Sequence, residues 1–327
     1  MAEHLKVVVV DLGYENYEPE REELAKIGAT LILRDCKTED DLLDAVADAD
    51  GLLVRQAEIS ARVIAAAKRC KVIGRYGVGV DNVDLQAATE KGIMVVNVPD
   101  YCQEEVSDHA LALLFACARR VVSRDRRVRA GEWDVGAREP VFRMRGKTLG
   151  LLGLGSIART LARKVSGFGL RLIAFDPFVD ADAARELGVE LVDLERLFRE
   201  ADYLSIHAPL TDDTRHIVNE ERLKAMKPTA IVVNTSRGPL IDETALVRAL
   251  REGWIASAGL DVYEKEPPPA DSPLRELPNV VLTDHAAWYS EEAVVELQRK
   301  AAAEVARVLT GQPPRNLVNK EVLQRRI

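Results

Sequence analysis

The chain has 327 residues, 47% of them hydrophobic and 30% charged, a composition typical of a folded globular protein. Its net charge of −8 and isoelectric point of about 5.4 argue against nucleic acid or an anionic membrane surface as a direct partner. No apolar run is long enough to span a membrane, and residues 1–10 lack the pattern of a secretion signal. The four cysteines form no ligand or redox pattern, so we expect free thiols, a cytoplasmic location and no metal.

Apolar runs alternate with helical patterns through the first hundred residues. Strands are predicted at 6–11, 30–33, 51–55, 72–75 and 94–98, and helices at 20–26, 40–49, 59–68 and 84–91. This alternation predicts a parallel sheet with helices on both faces.

A long helix is predicted over 104–130, and its part 110–117 is apolar all round and therefore buried. A second βα series follows, and a last helix is predicted over 291–309. The six strands of this series are predicted at 148–152, 170–175, 203–206, 230–234, 257–260 and 280–282. Six strands are enough for a complete dinucleotide-binding sheet.

A glycine loop opens the second series, between a predicted strand and a predicted helix. Gly153 allows a tight turn, and Gly155 lets the backbone approach a pyrophosphate. The helix N-terminus at Ser156 and Ile157 presents free N–H groups to the phosphates. Strand, glycine turn and helix in this order predict a dinucleotide site.

An acidic residue ends the next strand. Asp176 follows Gly153 by 23 residues, where a carboxylate can accept hydrogen bonds from ribose hydroxyls and repel a 2′-phosphate. Pro177 follows instead of a basic residue. The sequence therefore predicts NAD rather than NADP.

A complete second sheet inside the chain predicts one domain inserted into another. We expect an α/β protein with two doubly wound parallel sheets. A Rossmann NAD-binding domain over 103–289 would be inserted into a flavodoxin-like substrate domain formed by 1–102 and 290–327. A cleft between such domains is where a substrate would meet the cofactor.

Polar residues follow the strands of the second series. His285 is the acid–base candidate, because a histidine there can protonate a ketone oxygen and take the proton back. Glu266 would orient the ring and stabilise its charged form. Arg237 can bind a carboxylate with two hydrogen bonds, whereas Glu264 is interpreted as a surface charge.

The other histidines carry less information. His207 also ends a strand and, with Ala208 and Pro209, is interpreted as lining the cofactor. His109, in the long helix, is interpreted as structural, and His216 as a surface residue.

Several segments together resemble the D-isomer-specific 2-hydroxyacid dehydrogenases. They are 74–82, the glycine loop, 234–238, 261–267 and His285. The resemblance covers essentially the whole chain and implies NAD-linked interconversion of a 2-hydroxy acid and a 2-keto acid. It implies that Arg237 binds the substrate, that His285 is the general acid and base, and that Glu266 is its partner.

The resemblance also implies binding residues and an assembly. For the cofactor they are Thr214, Thr235, Ser236 and Asp261, the last at the nicotinamide carboxamide. For the substrate they are the backbone of Gly77, Val78 and Gly79, with Arg55, Arg75 and Trp288. Family members dimerise through their cofactor domains, so we expect a homodimer in which the long helix and arm over 104–146, with Trp133 near the middle, are partly buried against a second subunit.

Two subgroups of that family compete. Residues 72–98 are similar to phosphoglycerate dehydrogenases, whereas 99–102 and 285–291 are more similar to C-terminal-binding proteins. Asp284 stands where the family usually has proline before the catalytic histidine. The similarity to C-terminal-binding proteins gives the alternative function, which is an NAD(H)-sensing binding protein with weak or residual dehydrogenase activity.

Overall fold

The computed structural model describes residues 4–134 and 140–325. The chain divides into two compact units, Met1–Cys102 with Ser290–Ile327, and Gln103–Tyr289. Residues 135–139, part of the predicted arm, lie outside the described residues. The predicted α/β class with two parallel sheets is confirmed.

The first unit contains a parallel sheet of five described strands. The strands are β1 (Lys6–Val9), β2 (Thr30–Leu33), β3 (Gly51–Val54), β4 (Val72–Arg75) and β5 (Met94–Val96). The helices between them are α1 (Glu18–Ala25), α2 (Glu39–Val46), α3 (Ala61–Ala66) and α4 (Leu85–Glu90). The strand order β2-β1-β3-β4-β5 is that of flavodoxin-like sheets. Thr38, Ser60 and Asp84 cap α2, α3 and α4, which explains where these helices begin.

The second unit begins with two helices where the sequence predicts one. They are α5 (Gln103–Ala118) and α6 (Val121–Arg129). Arg120 adopts a left-handed φ of 56°, which interrupts the α-helix between them. Helix α5, which precedes Arg120, packs into the core, whereas none of the residues of α6 is buried.

The second sheet has seven described strands, one more than predicted. The strands are β6 (Thr148–Leu152), β7 (Arg171–Phe175), β8 (Val189–Leu191), β9 (Tyr203–Ile206), β10 (Ile231–Asn234), β11 (Ser257–Leu260) and β12 (Val280–Leu282). The helices are α7 (Ser156–Lys164), α8 (Ala181–Glu186), α9 (Leu194–Glu200), α10 (Glu220–Ala225) and α11 (Glu243–Glu252). The order β12-β11-β10-β9-β6-β7-β8 places β6 between β7 and β9. The carboxyl end of β6 is therefore the point where ligands bind in open α/β sheets.

Both faces of this sheet are buried, as parallel sheets require. Leu204 and Val232 point into one apolar core, and Leu149 and Leu151 into another. These cores fix the strands, so the loops at their carboxyl ends start from a rigid base.

The chain then returns to the first unit as α12 (Glu291–Leu309), with the predicted bounds. The Ser290 hydroxyl caps it by accepting a hydrogen bond from the Ala293 N–H at 2.9 Å. Among the described helices, none combines the length and the apolar character needed to cross a membrane. Residues 4–134 and 140–325 also hold no cluster of three or more His, Cys, Asp or Glu that could bind a metal.

Candidate active site

One edge of the second sheet collects most of the candidate residues. They are Gly153 after β6, Asp176 after β7, His207 after β9, Arg237 after β10, Asp261 after β11 and His285 after β12. Because all the strands are parallel, their carboxyl ends meet at this edge. The local contacts decide which of these residues act together.

His285 and Glu266 form a hydrogen-bonded pair. The Nδ1 of His285 lies 2.6 Å from the Oε2 of Glu266, and the other carboxylate oxygen accepts the Tyr263 N–H at 3.0 Å. Burial alone would raise the pKa of Glu266, but the hydrogen bond and charge of His285, with smaller contributions from the Tyr263 N–H and Arg237, lower it. An ionised carboxylate only accepts hydrogen bonds, so Nδ1 carries a proton and Nε2 takes no part in this contact.

Arg237 lies near this pair, since its charge contributes to the low pKa of Glu266. Its loop packs directly against the loop of Glu266. A Cβ on Gly238 would lie 1.8 Å from the carbonyl oxygen of Tyr263, so only glycine allows this approach. The two loops therefore hold each other in place.

The backbone at His285 is unusual. Its φ of 59° is left-handed, a conformation that costs a non-glycine residue about 1–2 kcal/mol. Asp261 stabilises the turn: its carbonyl accepts the His285 N–H at 2.9 Å, and its carboxylate accepts those of Ala286 and Ala287 at 3.0 and 2.9 Å. The Asp261 side chain is completely buried, and its contact with a nicotinamide carboxamide stays a prediction. Asp284, beside the histidine, is exposed.

The glycine loop has the shape that a dinucleotide requires. Gly153 has a φ of 90°, and a Cβ there would lie 2.8 Å from the backbone nitrogen of Ala208. On Gly155 a Cβ would meet no described atom within 4 Å, so the backbone is open to a ligand. Helix α7 begins at Ser156, followed by Ile157, and Gly155 provides no side-chain cap for the first-turn N–H groups. These groups are available to phosphates.

Asp176 is fixed beside this loop. One carboxylate oxygen accepts the Leu154 N–H at 2.8 Å, and the other accepts the Phe178 N–H at 2.9 Å. Each oxygen keeps a lone pair for a ribose hydroxyl. Pro177 follows Asp176 in the chain and has no backbone N–H to donate.

Three hydroxyl residues lie along the same edge. The Thr235 hydroxyl is buried and has no hydrogen-bond partner among the described residues. Buried polar groups are normally hydrogen-bonded, so this hydroxyl suits a contact with a bound ligand. The Ser236 hydroxyl donates to the Ala208 carbonyl at 2.7 Å, and the Thr214 hydroxyl donates to the Pro209 carbonyl at 2.7 Å. Ser236 and Thr214 thus shape the loops, and the unpartnered Thr235 together with the open glycine loop fits NAD.

His207 is neutral at physiological pH. Burial lowers the pKa of its ring from 6.5 to about 4. Its Nε2 lies 2.8 Å from the Ser205 hydroxyl, and its backbone N–H donates to the Leu152 carbonyl at 2.8 Å.

The remaining substrate candidates divide between the units. Arg55, Arg75 and the 77–79 loop follow β3 and β4 of the first unit, where Arg75 donates to the Tyr76 carbonyl at 2.7 Å. In this loop the Gly77 N–H donates to the Arg75 carbonyl at 3.0 Å, and the carbonyls of Gly77 and Val78 accept hydrogen bonds. Trp288 lies in the second unit, edge-on to Tyr289 with ring centroids 5.8 Å apart.

Two contacts between side chains are not predicted from the sequence. His216 and Glu264, both interpreted as surface residues, lie 2.5 Å apart through Nε2 and Oε1. His109, interpreted as structural, has its Nε2 2.9 Å from the hydroxyl of Thr283. The sequence signal for His109 is its position directly before the apolar stretch 110–117 of the helix.

Comparison with known proteins gives the family. A family model for the D-isomer specific 2-hydroxyacid dehydrogenase NAD binding domain matches residues 111–287. Glyoxylate reductase of Korarchaeum cryptofilum is 46% identical over 288 residues, 86% of this chain and 86% of that protein. D-3-phosphoglycerate dehydrogenase of Methanocaldococcus jannaschii is 41% identical over 96% of this chain, which spans only 59% of that protein's length.

A solved structure agrees with these relatives. The D-lactate dehydrogenase of Aquifex aeolicus, solved with NAD and lactic acid, has a TM-score of 0.87 at 26% identity and covers 96% of this chain and 99% of its own. The chain therefore belongs to the D-isomer-specific 2-hydroxyacid dehydrogenase family. It is an NAD-linked oxidoreductase that acts on 2-hydroxy acids, and the prediction of NAD as cofactor is confirmed. The alternative of a C-terminal-binding-protein-like sensor receives no support.

The neutral state of His207 predicts that the free energy of unfolding depends on pH in acid. In the folded chain the ring stays neutral down to pH about 4, whereas the unfolded chain binds a proton below about 6.5. The unfolded state binds more protons in that window, so His207 makes stability fall as the pH falls. In His207→Gln, the loss of unfolding free energy between neutral pH and pH about 4.5 should be smaller by roughly 2 kcal/mol.

Urea denaturation at the two pH values measures this difference. His4→Gln, a change at an exposed histidine, is the control and should show the parental acid sensitivity. An equal acid-induced loss in His207→Gln and the parental protein would contradict the assignment.

Proposed function

We propose that the chain interconverts a small 2-keto acid and the D-2-hydroxy acid, with His285 as general acid and base. The observation that carries the proposal is the 2.6 Å contact between His285 and Glu266, with the charge of Arg237 close by. When bound, NAD(H) supplies or accepts the hydride at the substrate carbon. The chain's own residues must then bind the acid and move one proton.

The proton is assigned to the Nε2 of His285. Glu266 accepts the hydrogen bond of Nδ1, which keeps the ring oriented and supports its charged form. In reduction Nε2 gives its proton to the ketone oxygen, and in oxidation it takes the proton from the hydroxyl. Glu266 stays ionised throughout, as its lowered pKa favours.

Arg237 is proposed to bind the substrate carboxylate, because its planar guanidinium offers two parallel donors. Trp288 and, from the first unit, Arg55, Arg75 and the 77–79 backbone are the remaining substrate-binding candidates. Two relatives are named glyoxylate reductase and D-3-phosphoglycerate dehydrogenase. We therefore propose a 2-keto acid of about the size of glyoxylate or hydroxypyruvate as substrate.

Purified protein with NADH and a panel of keto acids tests the proposal. The panel comprises glyoxylate, hydroxypyruvate, phosphohydroxypyruvate and a methylthio-2-keto acid, and at least one should oxidise NADH. His285→Ala should lower kcat by about 100-fold or more and leave the dissociation constant of NADH nearly unchanged, because only proton transfer is lost. Tight NADH binding with no turnover of any acid, or normal kcat in His285→Ala, would overturn it.

Asp176 is proposed to select NAD. Asp176→Asn keeps an acceptor for the Leu154 N–H but removes the charge that repels a 2′-phosphate. The ratio of kcat/KM for NADH to that for NADPH should fall about 10-fold or more. Asp182→Asn removes a nearby charge that pairs with Arg185 and should keep the parental ratio. An unchanged ratio in Asp176→Asn would show that the carboxylate does not face the ribose.

A homodimer through the second unit is part of the proposal. Helix α6 buries no residue, and its Val121 and Val128 are 54% and 55% exposed. Trp133 and Phe142 on the following segment are 85% and 47% exposed. Apolar exposure on this scale over one segment favours a protein interface.

A cytoplasmic location is also proposed, because the cysteines of the described residues are free thiols.

Sedimentation velocity tests the dimer. The parental protein should sediment at about twice the chain mass of 36.1 kDa. Val128→Asp should give monomers, because a charge buried in an apolar interface costs several kcal/mol. Phe178→Asp, at a residue that is 94% exposed elsewhere on the unit, should remain a dimer. A monomeric parental protein, or a dimeric Val128→Asp, would contradict the proposal.

A further inference from the structure

A second histidine reaches the turn that carries His285. His109 projects from α5, and its Nε2 lies 2.9 Å from the Thr283 hydroxyl and 3.4 Å from an Asp261 carboxylate oxygen. The Thr283 hydroxyl lies 2.6 Å from the same oxygen of Asp261. These side chains form a continuous chain of contacts within the second unit.

The direction of the hydrogen bonds follows from the chemistry of the groups. The Asp261 carboxylate accepts hydrogen bonds from two backbone N–H groups. As an acceptor only, it can accept a further hydrogen bond but cannot donate one. The Thr283 hydroxyl has one proton and donates it to Asp261. It can then only accept from His109, so the Nε2 of His109 carries a proton. His109 thus orients the Thr283 hydroxyl, which completes the donor set of Asp261.

Asp261 depends on that donor set. Its side chain is completely buried, and burial of a carboxylate is unfavourable unless hydrogen-bond donors replace the water that it loses. With a donor missing, the carboxylate would turn toward another partner. The N–H groups of Ala286 and Ala287 would then lose their acceptor, and the left-handed backbone at His285 would lose its restraint.

We propose that His109 is a positioning residue for this reaction. Through Thr283 it fixes the Asp261 carboxylate, which holds the turn that presents the His285 ring. This role rests on the proposed function of His285, because the polar contacts of His109 in the described part of the chain are with Thr283 and Asp261. A misplacement of a reacting group by about 1 Å can slow a reaction by about 100-fold.

Paired substitutions at two positions test the role in the full-length protein. His109→Leu and Thr283→Val remove the hydrogen bonds with little change of volume, and His109→Gln and Thr283→Ser restore a donor. We expect kcat to fall about 10- to 100-fold in the first pair and to stay within about threefold in the second. The dissociation constant of NADH should stay within about twofold in all four. Asp108→Asn, which alters the ion pair with Lys164 on the same helix, should behave as the parental protein.

Two further readouts separate positioning from a general loss of structure. With NADH deuterated at the transferred position, the isotope effect on kcat should rise in His109→Leu, because the chemical step becomes slower. Nitrogen-15 NMR of the histidine rings should show the His285 resonances shifted in His109→Leu and at their parental positions in His109→Gln. The NMR readout needs no turnover, so it tests the inference even if every keto acid fails as substrate.

The inference is overturned if His109→Leu keeps the parental kcat and the parental His285 resonances. It is also overturned if His109→Gln loses as much activity as His109→Leu while both lose NADH affinity and thermal stability, since that pattern indicates a structural role only. If His109→Leu does not fold, the Thr283→Val and Thr283→Ser pair gives the same decision.

Discussion

The buried carboxylate of Asp261 is the constraint on which the site depends. It lies at the end of β11 with its side chain completely buried, and it accepts the N–H groups of Ala286 and Ala287. Its own carbonyl accepts the N–H of His285. One residue thus fixes three consecutive backbone groups, and this offsets the cost of the left-handed conformation at His285. Without that turn the ring would not reach Glu266.

The loops of Arg237 and Glu266 meet by a different means, which is close backbone packing. Gly238 approaches Tyr263 so closely that no side chain fits between them. His216 adds a second tie, because its backbone N–H donates to the Pro239 carbonyl at 2.8 Å while its ring contacts Glu264. The positions of the two charged groups are therefore set by strand ends and loop contacts. Neither group has to be ordered when a substrate arrives, which lowers the entropic cost of reaction.

Local pattern predicts most of the fold and only part of the site. Most of the strands are continuous apolar runs, so the sequence predicts every described strand except β8. The three residues of β8 have an exposed centre and pair with β7 at the edge of the sheet. The break at Arg120 is not predicted, because arginine is an ordinary helix former and gives no local signal for a left-handed residue. The strand-end rule selects Glu266 and His285, which make contact in the structure.

The contact between His109 and Thr283 joins residues 174 positions apart, and no local pattern encodes it. Two carboxylates near His285 differ in burial and in the groups that they contact. Glu266 keeps 36% of its side chain exposed and contacts the ring, so solvent can adjust to a proton that moves on His285. Asp261 is buried and contacts the backbone, so it cannot follow that charge and serves as a fixed support. In the proposed mechanism, this separation of the moving charge from the fixed support would keep the ring in position while His285 gains or loses its proton.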